Sequence, residues 1–273
     1  MIVVDYSYIF VLVIYKHYGD LENYLKMLSS KFDSYRVIIV NNYYDDETKE
    51  KVFNIACSYD CDFINANNDG YGAGNNRGIE LAKSKYKFKY LIVSNTDIEI
   101  LSFDHQILEY DDCAIYAPRI KTINNKNQNP YWVYDFNLGQ KLIYKGFRDD
   151  NKFKLYLGYA LNKILRLGFI FTTALFFRRK RKCFGSHGAF VIYTYKALDV
   201  LGYPYDENMF LFSEEAHVAH LAKEKKIKTY YIPKTRIKHF EDASMGNVNL
   251  LKEEAKSYQY FYTHHHKLRG MKK

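Results

Sequence analysis

The sequence predicts an α/β protein built on a mostly parallel central sheet. Two observations predict it. Apolar runs and helix-period segments alternate through the first hundred residues, which is the order of strands joined by crossover helices. The strands are continuous apolar runs rather than alternating ones, as expected when helices cover both faces of a sheet. The chain has 273 residues, 48% of them hydrophobic, enough for a substantial core.

Tyr8 to Ile14 reads as the first buried strand. Asp20 then precedes Leu21, Tyr24, Leu25 and Leu28 at helical spacing. Val37-Ile38-Ile39-Val40 is the second strand, ending at Asn41-Asn42. Asp45 or Asp46 caps the next helix, whose apolar face includes Val52, Ile55 and Ala56. Phe63-Ile64 is a short third strand, and Tyr90 to Ser94 a fourth, after a helix through Ile79 and Ala82. Further strands are expected at Ala114 to Ile120, Ala189 to Tyr193 and Tyr230 to Ile232, with helices at Lys196 to Leu201 and Glu214 to Lys225. Residues 124–154 show no clear period and read as loops, and the tail from Val248 reads as a helix that ends basic.

Ligands in such sheets bind beyond the carboxyl ends of the strands. The stretch from Asn67 to Asp97 is concentrated there. Gly72, Gly74 and Gly78 are spaced one residue too long for a dinucleotide fingerprint, and no Gly-Lys-Ser/Thr follows to make a Walker A loop. Glycines at a helix start either let backbone amides approach an anion or make a tight strand-to-helix turn, and the sequence leaves both open. Asp97, in Asn95-Thr96-Asp97, follows a buried strand, where a carboxylate can hold Mg²⁺ or Mn²⁺ together with phosphate oxygens, or can cap the next turn. Glu214 and Glu215 open a helix, where acids are favoured in any case; as a pair they also suit general base catalysis. His239 gains interest only from these neighbours.

Lysine and arginine number 40 against 31 acids, a net charge of +9, which favours anionic partners. No recognised nucleic-acid motif is present, so nucleic acid is not an expected partner. The spacing of Cys57, Cys61, Cys113 and Cys183 forms no zinc or disulfide framework. The N-terminus reads without a signal peptide, and Leu155 to Phe177 is broken by Asn162, Lys163 and Arg166. The expected location is the cytoplasm. Residues 155–182 join an apolar run to the cations of Arg178 to Lys182, which reads equally as peripheral contact with an anionic membrane on its inner face or as an acceptor-side helix with a solvated basic end.

Taken in order, these motifs resemble the family-2 glycosyltransferases of GT-A fold, above all the bacterial rhamnosyltransferase-like members. Asn68 to Gly78 is similar to their N-x-G-x-G-x-N-x-G segment, and Ser94-Asn95-Thr96-Asp97 to their metal-binding D-x-D variant. Ala117-Pro118-Arg119-Ile120, Gly188-Ala189-Phe190-Val191, Gly202 to Glu207 and Phe210 to Glu215 resemble later blocks, and His239 with Ser244 the closing H-x-x-x-x-S. Asn41-Asn42 stands where Asp-Asn is usual, Glu214-Glu215 where Glu-Asp is usual, and His217 replaces a further acid.

The resemblance implies a Rossmann-like single domain over residues 1–246, with a nucleotide-sugar half (1–100), an acceptor-side half (101–246) and a helical tail (247–273). It implies inverting sugar transfer from a nucleotide diphosphate sugar to a saccharide or lipid-linked acceptor in bacterial surface polysaccharide synthesis. Asp97 and His239 would hold Mg²⁺ or Mn²⁺, and Glu215, beside Glu214, would be the base. Asn41, Asn42, Gly72, Asn75, Arg77, Asn95 and Thr96 would lie near the donor, although Arg77 reads equally as a surface helix residue. A sugar nucleotidyltransferase would normally carry a Gly- and Arg-rich loop where Tyr15 to Gly19 stands. A non-catalytic binding or scaffold protein of the same fold is the other rival.

Overall fold

The computed structural model describes residues 5–176, 179–241 and 250–271. Strands β1 (Asp5–Ile14), β2 (Tyr35–Asn42), β3 (Asp62–Ala66) and β4 (Lys87–Ser94) alternate with helices α1 (Leu21–Ser29), α2 (Asp46–Ser58) and α3 (Tyr71–Lys85). They form a parallel block in the order β3-β2-β1-β4. Asp45 caps α2 by accepting from the Thr48 amide at 2.7 Å.

Both faces of this block are covered, which explains its continuous apolar strands. Phe10, Leu12, Ile39 and Ile92 pack against Leu25 and Leu28 of α1 and Val52 of α2. The intervening Ile9, Val11, Ile38 and Leu91 pack on the opposite side against Ile79 and Ala82 of α3. At the sheet's edge Arg36 and Lys85 converge on the buried Asp62, and Arg36 also reaches Asp60.

The second half is mixed rather than parallel. Its strands are β5 (Ile98–Ser102), β6 (Ala114–Thr122), β7 (Arg181–Cys183), β8 (Phe190–Thr194) and β9 (Lys228–His239). β8 runs antiparallel to β4 and β6, β9 parallel to β6, and β5 and β7 antiparallel to β9. Together they complete a nine-stranded sheet among the described residues.

Residues 124–154, expected as loops, instead contain α4 (Asn137–Arg148) and the start of α5 (Lys152–Phe176). Gly146 and Gly158 sit at the α4–α5 crossing. A Cβ on Gly146 would fall 2.7 Å from Leu155, and one on Gly158 would fall 2.6 Å from Ile143. These glycines therefore serve close helix packing. α6 (Tyr195–Leu201), α7 (Glu214–Glu224) and α8 (Leu250–Met271) follow. Tyr258 and Phe261 of the tail helix share a core with Trp132, Ile143, Met209 and Ala216. Ser244 and Arg178 lie outside the described residues.

Candidate active site

A cavity of about 700 Å³ opens at the carboxyl ends of β1, β2 and β4. Val13, Asn42, Asn95 and Asp97 lie on its wall at or just past the ends of these strands, and His187, Glu214, Glu215 and His239 line it from the second half. Its volume falls within the range of small-molecule sites.

Topology brings Asp97 and His239 together. The Asn95-Thr96-Asp97 turn joins β4 to β5, and β5 pairs antiparallel with the end of β9, Ile98 opposite His239. The Phe240 amide donates to the Asp97 carbonyl at 2.9 Å. The His239 Nε2 then stands 3.3 Å from Asp97 Oδ1. On the far side of the ring, His239 Nδ1 is 2.8 Å from Gln128 Oε1, while the Gln128 amide nitrogen donates to Glu241 at 2.9 Å. That second bond fixes which end of the Gln128 amide faces the imidazole, so in the neutral ring Nδ1 donates and Nε2 presents a lone pair towards Asp97.

A lone pair facing a carboxylate oxygen calls for a proton or cation between them. Two neighbouring ligands of an octahedral Mg²⁺, each at 2.0–2.1 Å, stand about 3 Å apart. The observed spacing and the oxygen–nitrogen donor set therefore fit a small divalent ion that takes its remaining ligands from phosphate and water. No cluster of three or more His, Cys, Asp or Glu side chains placed to hold a metal occurs among the described residues. His187 is a neighbour, its ring centroid 6.0 Å from that of His239. Burial, then the proximity of His239, pushes the His187 imidazole down to about 3, so it stays neutral.

The acidic pair begins α7. Phe212 and Ser213 both hold positive φ, 69° and 68°, so a tight left-handed turn delivers the two glutamates to the helix start. Glu214 is buried, and its Oε1 has no hydrogen-bond partner among the described residues. Glu215 is half-buried, and its Oε1 accepts from the Gly188 amide at 3.2 Å. Burial raises both carboxyls above the ordinary range. The charge of Glu215 adds to the rise at Glu214, and the Gly188 amide opposes it at Glu215.

The glycine segment has a different architecture from an anion cradle. α3 already begins at Tyr71, so Gly72, Gly74 and Gly78 lie inside the helix. They let α3 approach Tyr205, Val13 and Val11, respectively. Gly70 makes the sharp turn, with φ 109° and ψ 170°. The Tyr71 amide after it donates to the Phe210 carbonyl at 3.0 Å, fastening the loop before α3 to the segment that leads into the glutamates. Asn76 strengthens the same seam by exchanging amide bonds with the Tyr205 backbone at 2.8 and 3.2 Å.

Of the residues singled out from sequence, Asn42, Asn95, Thr96, Asp97, Glu214, Glu215 and His239 line the cavity. Asn41, Gly72, Asn75 and Arg77 do not line it. Strand alternation turns Asn41 away to donate to Asn65 at 2.7 Å, whereas Asn42 donates to the Gly70 carbonyl at 3.1 Å. Asn75 donates to the Tyr71 carbonyl, and Arg77 bonds the Asn67 carbonyl and Asp69, closing the loop that precedes α3.

Sequence reasoning missed Tyr71, Gln128 and His187. Tyr71 places its hydroxyl between Asn95 Oδ1 at 3.0 Å and the Gly188 carbonyl at 3.2 Å. Its position between two glycines beside the Asn-rich loop was the available signal. Gln128 lay in a stretch read as loop, and no local pattern marked it. His187 directly precedes the Gly188 block and could have been found there.

The sheet order and the position of the cavity define a GT-A-type glycosyltransferase fold. The structure is similar to that of GalNAc-T7, solved with UDP, GalNAc and Mn²⁺, with a TM-score of 0.62 and 11% identity over 94% of this chain and 48% of that one. It is also similar to S. aureus TarS, with a TM-score of 0.55 and 11% identity over 87% of this chain and 37% of that one. The chain thus spans about half the length of the first and little more than a third of the second. The sequence itself matches no family model and no curated protein.

Proposed function

We propose that the chain is a metal-dependent, inverting glycosyltransferase. It would move a hexosyl or deoxyhexosyl unit, on the rhamnosyltransferase pattern, from a nucleotide diphosphate sugar to a saccharide or lipid-linked saccharide in bacterial surface polysaccharide synthesis. The site of action would be the cytoplasm. One observation carries the reading: the Asp97–His239 pair and two glutamates with raised pKa line a single cavity at the carboxyl edge of a GT-A sheet. The Mn²⁺ and UDP with which GalNAc-T7 was solved are consistent with it.

Asp97 and His239 would hold Mg²⁺ or Mn²⁺, and Gln128 with Glu241 would keep Nε2 of His239 directed at the ion. The bound ion would neutralise charge developing on the diphosphate leaving group. Asn42, Asn95 and Thr96 would contact the donor. Asn41, Gly72, Asn75 and Arg77 would act indirectly, by shaping the wall behind it. Glu215 would take the proton of an acceptor hydroxyl as that oxygen bonds to the anomeric carbon and the sugar–phosphate bond breaks. A carboxyl raised by burial is the stronger base for this step. Glu215 is favoured over Glu214 because it is less buried and its orientation is set by Gly188.

A nucleotide-sugar panel with Mg²⁺ or Mn²⁺, scored for nucleoside diphosphate release, tests the proposal. Asp97→Ala is expected to abolish release while the protein stays folded. Glu215→Gln is expected to retain donor binding and lose transfer. Loss in Glu214→Gln with Glu215→Gln unaffected would reassign the base. A folded protein inert towards every donor would favour the non-catalytic reading.

A further inference from the structure

Helix α5 is apolar on its outward face as well as on the face that packs inward through Leu155 and Phe169. Along its 25 residues, the outward positions recur at helical spacing and are almost wholly apolar. Phe153 is 76% exposed, Tyr156 65%, Ile164 65%, Leu167 49%, Phe171 65% and Phe176 74%. Several of its polar side chains are also turned inward. Asn162 donates to the Tyr131 carbonyl at 3.0 Å, and Arg166 donates to the Gln128 carbonyl at 3.0 Å. Thr173 is buried and bonds the Phe169 carbonyl. A helix folded against a core in water turns a polar face outward, and a contiguous exposed apolar stripe marks an interaction surface.

The charges on this helix choose its partner. Residues 152–176 include no aspartate or glutamate. Lys152 and Lys163 are exposed on the helix, and Lys182 is exposed just beyond it. No helix among the described residues is long and apolar enough to cross a membrane. We propose that the outer face of α5 lies in the surface of an anionic bilayer, its aromatic and aliphatic side chains in the headgroup boundary and its lysines among the phosphates. The inner face supplies a structural link to the cavity. Arg166 holds the Gln128 backbone, and Gln128 holds His239. A protein seated this way would present its cavity beside the lipid surface. The proposal stands apart from sugar transfer, because its test contains no donor.

The full chain is floated with vesicles of phosphatidylcholine alone and with vesicles containing phosphatidylglycerol. Binding is expected to the anionic vesicles and to weaken with salt. Lys163→Gln should weaken it about fivefold, the share of one cation near a charged surface. Ile164→Glu combined with Phe171→Glu should abolish it with the far-ultraviolet circular dichroism unchanged, since both side chains are exposed. Absence of binding to either vesicle overturns the proposal, as does binding that survives the double substitution. A wild-type dimer in light scattering that the double substitution dissociates, without any bilayer dependence, would instead assign the face to a second copy of this chain.

Discussion

Replacing Gly70 with alanine should strike the fold and the site together. Gly70 holds φ 109° and ψ 170°, a region open essentially to glycine alone. Holding another residue there costs about 1–3 kcal/mol. The new Cβ would lie 2.8 Å from the Phe210 Cα and 2.9 Å from its carbonyl carbon. Those are backbone atoms and cannot rotate away. Relief requires the two segments to part, which breaks the bond from the Tyr71 amide to the Phe210 carbonyl, a further loss of about 0.5–1.5 kcal/mol. The sum is about 1.5–4.5 kcal/mol, which lowers the melting temperature of a domain this size by about 3–18 °C. Thermal unfolding followed by circular dichroism measures it. If the 203–213 segment swings out instead, stability falls less, but nucleoside diphosphate release collapses because Glu214 and Glu215 follow that segment. A variant that melts with the wild type and keeps full turnover would refute the account of this seam.

Glu214→Gln should flatten the dependence of stability on pH. The folded state raises the Glu214 carboxyl, so it binds a proton more tightly than the unfolded chain does. The wild type is therefore favoured below the ordinary value of 4.5 and loses that advantage as pH rises through the raised folded value. The glutamine variant should gain on the wild type between pH 5 and pH 8 in melting temperature, and parallel curves would contradict this. Gly168→Ala lies mid-helix with nothing within 4 Å of the added Cβ, so it should stabilise by about 0.5–1 kcal/mol, read as a higher urea midpoint; a lower midpoint would argue against the α5 geometry. Asp62→Ala leaves Arg36 and Lys85 without their shared carboxylate. It should cost about 3 kcal/mol in chemical denaturation, the low end for a broken buried pair because Arg36 retains Asp60. A loss below about 1 kcal/mol would place it with ordinary surface pairs.

The parts of the fold legible in the sequence are those governed by burial on two sides. β1, β2 and β4 announce themselves because every residue in their centres must be apolar. β9 did not, beyond Tyr230 to Ile232. Its lysines and arginine alternate with buried residues, and Pro233 interrupts it. A register shift between Pro118 and Arg119 of the neighbouring β6 lets the two strands continue together past it. β5 was missed because five residues after Asp97 carry too little pattern to separate from a loop. α4 was missed because residues 124–154, polar and aromatic, show no clear period. An ambiguity also touched the candidate site. Glycines and asparagines near a strand end suggest ligand contact, but only three-dimensional placement separates Asn42, on the cavity wall, from Asn41, one residue away and bonded to Asn65.

The site therefore depends less on any single motif than on how two halves of the chain are fastened. Asp97 comes from the turn after a parallel strand, and its partner His239 arrives from a strand more than a hundred residues later. Glu214 and Glu215 sit on α7, and Glu215 is oriented by Gly188 at the entrance to β8. β8 is the strand that joins the parallel block to the mixed half. Tyr71, at the start of α3, touches both sides through Asn95 and Gly188. Its burial raises the phenol well above its ordinary range, so the hydroxyl keeps its proton and remains a donor across the seam at any physiological pH. The alternating half of the sheet supplies the rigid edge and Asp97, and the less regular half supplies the glutamates and imidazoles. The candidate site is assembled where the two meet, which is why the strongest sequence signals lay beside the cavity-lining residues rather than on all of them.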